Sequence, residues 1–546
     1  TLPGVTREIL DQIIKAYDVR GLVPQQLDPR VAQAIGTAFA EVVAIPDAAG
    51  AIVVGHDMRD SSPGLAQAFA DGVTSRGVDV TLIGLASTDE LYFASGRDAR
   101  PGAMFTASHN PAAYNGIKLC RAGARPVGAD TGLREIKDLA GDLLEGRELP
   151  MVAVAGSVDD RDVLPDYATF LRALVDLSGQ RSLSVVVDAG NGMAGHTVPA
   201  VLGTHAGLPA LPLTVTPLYF ELDGTFPNHE ANPLEPENLR DLQAAVVAHG
   251  ADLGLAFDGD ADRCFVVDER GEPVSASAIT ALIADRAIAA EVAEGVDPRE
   301  ISVVHNVITS HAVPEVIAES GARAVRTRVG HSYIKGEMAR AGAVFGGEHS
   351  AHYYFREFWF ADTGMLAALH VLAALGEQDA PLSSVMARYD RYAASGEINS
   401  TVADQAAAVA AVRDAWVSDA VTVDELDGLT VTHRRDAGDG DGTMWWFNVR
   451  ASNTEPLLRL NVEAQDEATM HRVRDGVLEI VRGPIPVTTI EPWLREILRC
   501  PQCRSALTDE QGPTGPELVC TNASCALAYR IDDGVPVLLV DEARRP

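Results

Sequence analysis

Along the first 390 or so residues, short apolar runs rich in β-branched side chains alternate with longer Ala- and Leu-rich stretches of helical period. The runs Ala51–Val54, Val80–Leu82, Val185–Val187, Leu253–Phe257, Ser302–Val304 and Ala343–Phe345 predict strands. The stretches Ala32–Val43, Glu237–His249, Ala276–Ala293 and Gly364–Leu375 predict helices. Strands alternating with helices predict α/β units with parallel or mixed sheets. The pattern then changes. Trp445–Val449 and Leu457–Ala464 alternate apolar and polar residues, and Glu467–Arg482 has helical period, which predicts a compact α+β domain. GPIPVTTIEP, residues 483–492, holds three prolines and a glycine and reads as a linker. The predicted boundaries are 1–154, 155–272 and 273–391 for three α/β domains, 392–484 for the α+β domain, and 485–546 for a linker and a small module.

Three polar segments follow directly on predicted strands. TASHNP (106–111) follows Gly102–Phe105, DGDADR (258–263) follows Leu253–Phe257, and GEHSAH (347–352) follows Ala343–Gly346. Open α/β sheets place ligands at the carboxyl ends of their strands. Three such segments in three domains therefore predict domains that face one central cleft. Composition narrows what the ligand can be. Of 546 residues, 44 are Lys or Arg and 77 are Asp or Glu, a net charge of −33. That charge disfavours nucleic acid and anionic lipid as partners, and it confines any phosphate site to a local cluster of cations and backbone N–H groups. No run of apolar residues is long enough to span a bilayer. The opening residues lack the apolar core of a secretory signal. Six cysteines are few for this length, and the expected compartment is the reducing cytoplasm.

Asp258, Asp260 and Asp262 alternate, so in an extended loop their carboxylates can converge. Three hard oxygen donors suit Mg²⁺, and Arg263 adds a planar fork for phosphate. An EF-hand also opens D-x-D-x-D, but Arg263 stands where that loop needs Gly, and the flanks read as strands. In TASHNP, Ser108 sits in a polar loop, Pro111 is placed to open a helix or turn, and His109 with Lys118 would add positive charge. Helix capping would use the same residue types. Glu348, Ser350 and His352, alternating in an extended loop, would share one face and could grip a diol. RASNTEP (450–456) offers Arg450, Ser452, Asn453 and Thr454, a cation and three small polar groups fit to cradle phosphate.

This ordered set of motifs, with KAYDVRG at 15–21 and TRVGHSYIK at 327–335, resembles the α-D-phosphohexomutase superfamily, and its phosphomannomutase/phosphoglucomutase branch more than the glucosamine branch. The resemblance spans roughly residues 10–483. It implies four domains around a central cleft. It implies an enzyme that interconverts hexose 1-phosphate and hexose 6-phosphate, of mannose and also of glucose, through a phosphoserine and a hexose 1,6-bisphosphate that also serves as activator. It implies that Ser108 carries the phosphoryl group, and that Asp258, Asp260 and Asp262 with the phosphoserine oxygen hold Mg²⁺. Tyr17, Arg20, His109, Lys118 and Arg263 would surround the reacting phosphate. Glu348 and Ser350 would hold sugar hydroxyls, His331 would line the substrate site, and Arg450, Ser452, Asn453 and Thr454 would hold the distal phosphate. Lys118, Arg20 and His331 are the candidate general bases. Two departures stand out. His349 replaces the Met, Gln or Glu usual between the glutamate and the serine. VVHNVITS (303–310) lacks the usual basic residue, which leaves that contact to His305 or His311. An amino-sugar phosphate as substrate, or a mutase-like scaffold that recruits a protein, are the alternative functions.

Near the end, Cys500-x2-Cys503 and Cys520-x4-Cys525 have the make-up of a zinc ribbon. WLREILRCPQC through IDDGVPVLLVDEAR resembles a small zinc-ribbon family that includes methyltransferase activator subunits. The resemblance implies Zn²⁺ on the four cysteines and a protein partner for the module.

Overall fold

The computed structural model describes residues 7–15, 17–402, 404–434, 442–452, 457–482, 497–512, 515–532, 535–540 and 543–545. The chain divides into two compact units, Thr1–Tyr392 and Ala393–Pro546. No helix among the described residues is long and apolar enough to cross a membrane.

The first unit holds three mixed sheets. In the first, Ala51–His56 lies between Asp79–Leu85 and Gly102–Phe105, parallel to both, while Tyr114–Arg121 runs antiparallel to Gly102–Phe105 and Val19–Leu22 closes that edge. In the second, Leu183–Asp188 pairs in parallel with Leu213–Leu218 and Leu253–Phe257, and Cys264–Asp268 returns antiparallel. In the third, Ser302–Asn306 pairs in parallel with Arg323–Thr327 and Phe345–Gly347, and Tyr353–Phe355 returns antiparallel. The parallel strands Leu253–Phe257 and Ser302–Asn306 are buried at every position, as sheets covered by helices require.

One topological position recurs in all three sheets. The last parallel strand turns back into an antiparallel neighbour, and the connecting turn is residues 106–113, 258–263 or 348–352. These are the polar segments singled out in the sequence. An antiparallel return after DGDADR also excludes the two flanking helices of an EF-hand.

Several predicted elements shift. The helix expected over Ala32–Val43 runs Pro29–Phe39, capped by Asp28 through Val31 N–H, and continues as a π-helix over Ala40–Ala44. The helix expected from Glu237 begins with a 3-10 turn, Pro236–Leu239. The strand expected over Ala343–Phe345 is Phe345–Gly347. Its two glycines look like loop in sequence, yet they pair in the sheet because helices lie hard against them. A Cβ on Gly346 would fall 2.6 Å from Met338 Sδ, and one on Gly347 would fall 2.5 Å from Thr280 Cγ2.

The second unit contains an antiparallel sheet, Ala393–Thr401, Leu457–Ala464, Trp445–Ala451, Leu429–His433 and Val421–Asp424 in spatial order. Helix Glu467–Arg482 buries Met470, Val473, Val477 and Val481 against it. The expected linker, 483–492, lies outside the described residues; beyond it Leu507–Gly512, Gly515–Cys520, Ala528–Asp532 and Val535–Pro536 form a four-stranded meander. Its core is small, with Leu507, Leu518, Leu527, Tyr529 and Ile531 beside Cys500 and Cys520.

Helix Thr88–Asp98 begins with a capping box. Ser87 N–H donates to Glu90 Oε2 at 2.9 Å, and Glu90 N–H donates to Ser87 Oγ at 3.3 Å. Glu90 is fully buried, and burial, with Asp89 adding, pushes its carboxyl up to about 8. The folded protein therefore keeps a proton that the unfolded chain releases near the ordinary glutamate value of 4.5. Stability from this group is full below that pH and is lost as pH rises toward about 8. Thermal unfolding of Glu90→Gln should show a shallower fall in midpoint from about pH 5 to about pH 8 than the parent. Parallel profiles for the two proteins would remove this account of Glu90.

Candidate active site

Each of the three turns carries a non-glycine residue in the left-handed region: Ser108 at φ 49°, Ala261 at φ 60° and Ala351 at φ 65°. Such a conformation costs about 1 kcal/mol or more and persists where surrounding contacts enforce it. Pro111 opens a turn that leads into strand Tyr114–Arg121, so no helix N-terminus stands behind Ser108.

Ser108 is buried, and its Oγ donates to Asp258 Oδ2 at 2.8 Å. The turns approach so closely that a Cβ on Gly259 would lie 2.4 Å from the Ser108 carbonyl oxygen, which requires glycine there. Arg263 donates to Asp258 Oδ2 from Nε at 3.0 Å and from Nη2 at 2.8 Å. The same Nη2 donates to His109 Nδ1 at 2.6 Å. Burial, with Arg263 next, pushes His109 down to about 2. His109 is therefore a neutral acceptor and does not add the positive charge expected of it. Lys118 Nζ bridges Asp260 Oδ2 at 2.7 Å and Asp262 Oδ2 at 2.5 Å. Burial opposes the lysine charge, but these carboxylates outweigh it and hold the ammonium well above its ordinary range.

Three buried carboxylates thus face two cations, Lys118 and Arg263. Burial, with Asp262 and Asp260 adding and Arg263 opposing, pushes Asp258 up to about 7. Asp258, Asp260 and Asp262 each offer an oxygen within 4.8 Å of the others. The Oδ1 atoms of Asp260 and Asp262 are buried without a hydrogen-bond partner. Excess negative charge and orphaned oxygens that converge fit a hard divalent cation.

Arg20 comes from the strand beside Tyr114–Arg121, at the register Arg20–Gly116. It donates to Asp18 at 2.8 Å, to the Ala107 carbonyl at 3.2 Å and to Asn110 Oδ1. Tyr17, Arg20, Ser108, His109, Lys118, Asp262, Arg263 and His352 line one cavity of about 190 Å³. His352 joins the third turn to the others: its Nε2 lies 3.8 Å from Asp262 Oδ1, and its Nδ1 lies 3.8 Å from Glu348 Oε2. The third turn is tight rather than extended. Glu348 N–H donates to the His352 carbonyl at 3.0 Å, and Ser350 Oγ lies 3.0 Å from His352 Nδ1. The Glu348 carboxylate accepts from Asn306 Nδ2, Gly330 N–H and Tyr354 Oη at 3.1, 3.1 and 2.7 Å, so its orientation is set from three sides. His331 opens helix His331–Ala341, and its side chain lies outside the described residues.

Neither His305 nor His311 is held charged in place of the basic residue missing from 303–310. Burial first, then the neighbouring Arg326, pushes His305 down to about 4, and its Nδ1 is turned to Thr309 Oγ1 at 2.7 Å. Burial pushes His311 to about 4 as well. In the second unit Arg450, next to last in strand Trp445–Ala451, donates from Nη2 to Glu397 Oε2 at 2.5 Å, and Ser452 N–H donates to the Leu457 carbonyl at 2.8 Å. Asn453 and Thr454 lie outside the described residues.

Four family models match in order: phosphoglucomutase/phosphomannomutase alpha/beta/alpha domain I over residues 11–143, domain II over 165–271, domain III over 276–392 and the C-terminal domain over 397–480. The chain belongs to the phosphoglucomutase/phosphomannomutase family. It is 37% identical to a phosphomannomutase of Escherichia coli over 476 residues, 86% of this chain and 98% of that one. It is 39% identical to a protein named phosphohexose mutases of Xanthomonas campestris, over 86% of this chain and 99% of that one. The crystal structure of a phosphoglucomutase/phosphomannomutase family protein from Burkholderia thailandensis superposes with a TM-score of 0.74 at 29% identity, covering 86% of this chain and 98% of that one.

A further site residue of this family member, Arg59, is absent from the predicted set. It is fully buried, and all five guanidinium hydrogens are used. Nη1 donates to the carbonyls of Pro111 and Tyr114, each at 3.0 Å. Nη2 donates to those of Ser108 at 2.9 Å and Asn110 at 2.7 Å, and Nε donates to Asp57 Oδ2 at 3.2 Å. One side chain thus holds the backbone of the whole Ser108 turn, and the Phe226 ring covers it at 5.1 Å. The signal was present: DMR (57–59) follows strand Ala51–His56 as the other motifs follow their strands. Lysine has three donors in place of five, so Arg59→Lys leaves buried carbonyls unpaired at about 1–3 kcal/mol each. The expected result is a lower unfolding midpoint and a turnover rate at least about tenfold lower. A variant with the parent's rate and midpoint would show that the clamp is dispensable.

Proposed function

We propose that the chain interconverts hexose 1-phosphate and hexose 6-phosphate, of mannose and of glucose, through a phosphoserine at Ser108 and a hexose 1,6-bisphosphate. The observation that carries this reading is Ser108 itself, strained, clamped by Arg59 and bonded to the acidic turn beside Arg263. The donor set Asp258, Asp260 and Asp262, with a phosphoserine oxygen, would hold Mg²⁺. When bound, Mg²⁺ neutralises charge on the transferring phosphoryl group.

In the forward step the bond from Ser108 Oγ to phosphorus breaks, and a bond forms from the sugar hydroxyl oxygen to phosphorus. The hydroxyl proton passes to a base. Arg263, Arg20 and Lys118 donate to phosphoryl oxygens as charge develops there. Lys118 and Arg20 line the same cavity as Ser108. Lys118, Arg20 and His331 remain the candidate bases for that proton. The bisphosphate then turns over, which roughly exchanges the sugar's O3 and O4, so that Glu348 and Ser350 grip either orientation. Arg450, Ser452, Asn453 and Thr454 would take the distal phosphate.

For the C-terminal module we propose a structural Zn²⁺ on Cys500, Cys503, Cys520 and Cys525. Their four sulfurs lie within 4.8 Å of one another, with Cys503 to Cys520 at 3.3 Å and Cys500 to Cys525 at 3.7 Å. Tetrahedral thiolates about 2.3 Å from zinc stand at such mutual distances. The thin core of the module argues for a metal staple, and a protein partner is the role this module would serve.

A coupled assay should show conversion of mannose 1-phosphate and glucose 1-phosphate to the 6-phosphates, dependent on Mg²⁺ and a trace of hexose 1,6-bisphosphate. Ser108→Ala should lose at least about 10³-fold in rate. An active alanine variant would eliminate the phosphoserine, and conversion of glucosamine 1-phosphate alone would transfer the assignment to amino sugars. Elemental analysis of the full chain should find about one zinc per chain, lost in Cys503→Ser. A zinc-free chain with an intact module would refute the staple.

A further inference from the structure

The first turn of helix Thr88–Asp98 belongs to none of the motifs above, yet it binds the acidic turn twice. Thr88 Oγ1 donates to Asp260 Oδ2 at 2.6 Å, and Thr88 N–H donates to the Asp260 carbonyl at 3.1 Å. Thr88 is completely buried. With Lys118 also on Oδ2 at 2.7 Å, that oxygen is fully engaged, while Oδ1 of the same carboxylate has no partner. The two oxygens of Asp260 are thus made unequal by their neighbours.

The helix end that does this is itself immobilised from three domains. The capping box closes it locally. Asp89, the next residue, accepts from Tyr167 Oη at 2.6 Å and from Thr363 Oγ1 at 2.7 Å. Tyr167 lies on helix Leu164–Leu174, and Thr363 caps helix Gly364–Gly376. A lysine is a mobile point charge on a long stem. The threonine hydroxyl sits two bonds from a helix backbone that cannot shift without breaking these contacts.

We infer that Thr88 is a positioning residue for the cation site, fixing the Asp260 carboxylate so that Oδ1 is the oxygen presented to the metal. The inference rests on the reading that Asp258, Asp260 and Asp262 bind a divalent cation. Partners of metal ligands typically contribute 10–100-fold to affinity by holding the ligand in orientation. Thr88→Val keeps the shape and removes the hydroxyl, whereas Thr88→Ser keeps the hydroxyl and removes the methyl.

The test is direct titration of the full chain with Mn²⁺, read as loss of the free-ion electron paramagnetic resonance signal, with no substrate present. Thr88→Val should bind Mn²⁺ about 10–100-fold more weakly than the parent, and Thr88→Ser within about threefold of it. Thr88→Ala gives the same comparison if the valine variant does not fold. Parent-like affinity in the folded valine or alanine variant overturns the assignment. Equal weakening in the serine variant also overturns it, since the methyl would then be responsible. A parent protein that binds no Mn²⁺ overturns the cation reading itself, an outcome distinct from the other two.

Discussion

Two buried turns meet where a Cβ on Gly259 would fall 2.4 Å from the Ser108 carbonyl oxygen, and where Ser108 Oγ reaches Asp258 Oδ2 at 2.8 Å. That approach brings a hydroxyl from the first sheet onto a carboxylate from the second. It is held by Arg59 on three carbonyls of the Ser108 turn and on that of Tyr114, and by Arg263 on Asp258. Both arginines are nearly inaccessible to water. Desolvating a guanidinium is tolerated only when its donors are used and its charge is opposed. Arg59 meets the condition with Asp57, and Arg263 meets it with Asp258.

The same condition explains why the acidic turn is so polarised. Asp258, Asp260 and Asp262 are buried side by side, a costly arrangement for three carboxylates. Lys118 and Arg263 offset part of that charge, and the raised Asp258 carboxyl reflects the remainder. His109, which a sequence comparison would count as positive, is neutral because it lies buried against Arg263. The residual charge and the two orphaned oxygens of Asp260 and Asp262 belong together physically: both are features of a place that a divalent cation would complete.

The three sheets of the first unit solve one problem in the same way. A parallel strand ends, its chain turns back as an antiparallel neighbour, and the turn carries the chemistry. A turn anchored on both sides by a buried sheet can hold a strained residue such as Ser108 or Ala351 without drifting. Precision comes from the sheet and variety from the turn. The C-terminal meander relies on a different device, because its few apolar residues surround a cluster of thiols instead of a deep core.

The amino-acid sequence alone determined the alternation of strands and helices, the placement of three polar turns after three strands, and the residue types in those turns. These are local properties, set by periodicity and by which side chains carry oxygen, nitrogen or charge. It also carried the family resemblance, through ordered motifs that need no coordinates. Only the tertiary structure decided what each residue does electrically and which distant residue supports it. His109, His305 and His311 are neutral because of burial and neighbouring arginines, which no local window contains. Gly346 and Gly347 pair as strand because two helices press on them. Arg59 lies 49 residues from Ser108, and Thr88 lies 172 residues from Asp260. Arg59 acts between neighbouring turns of one domain and Thr88 acts across two domains, and both contacts are set by the tertiary packing rather than by any pattern along the chain.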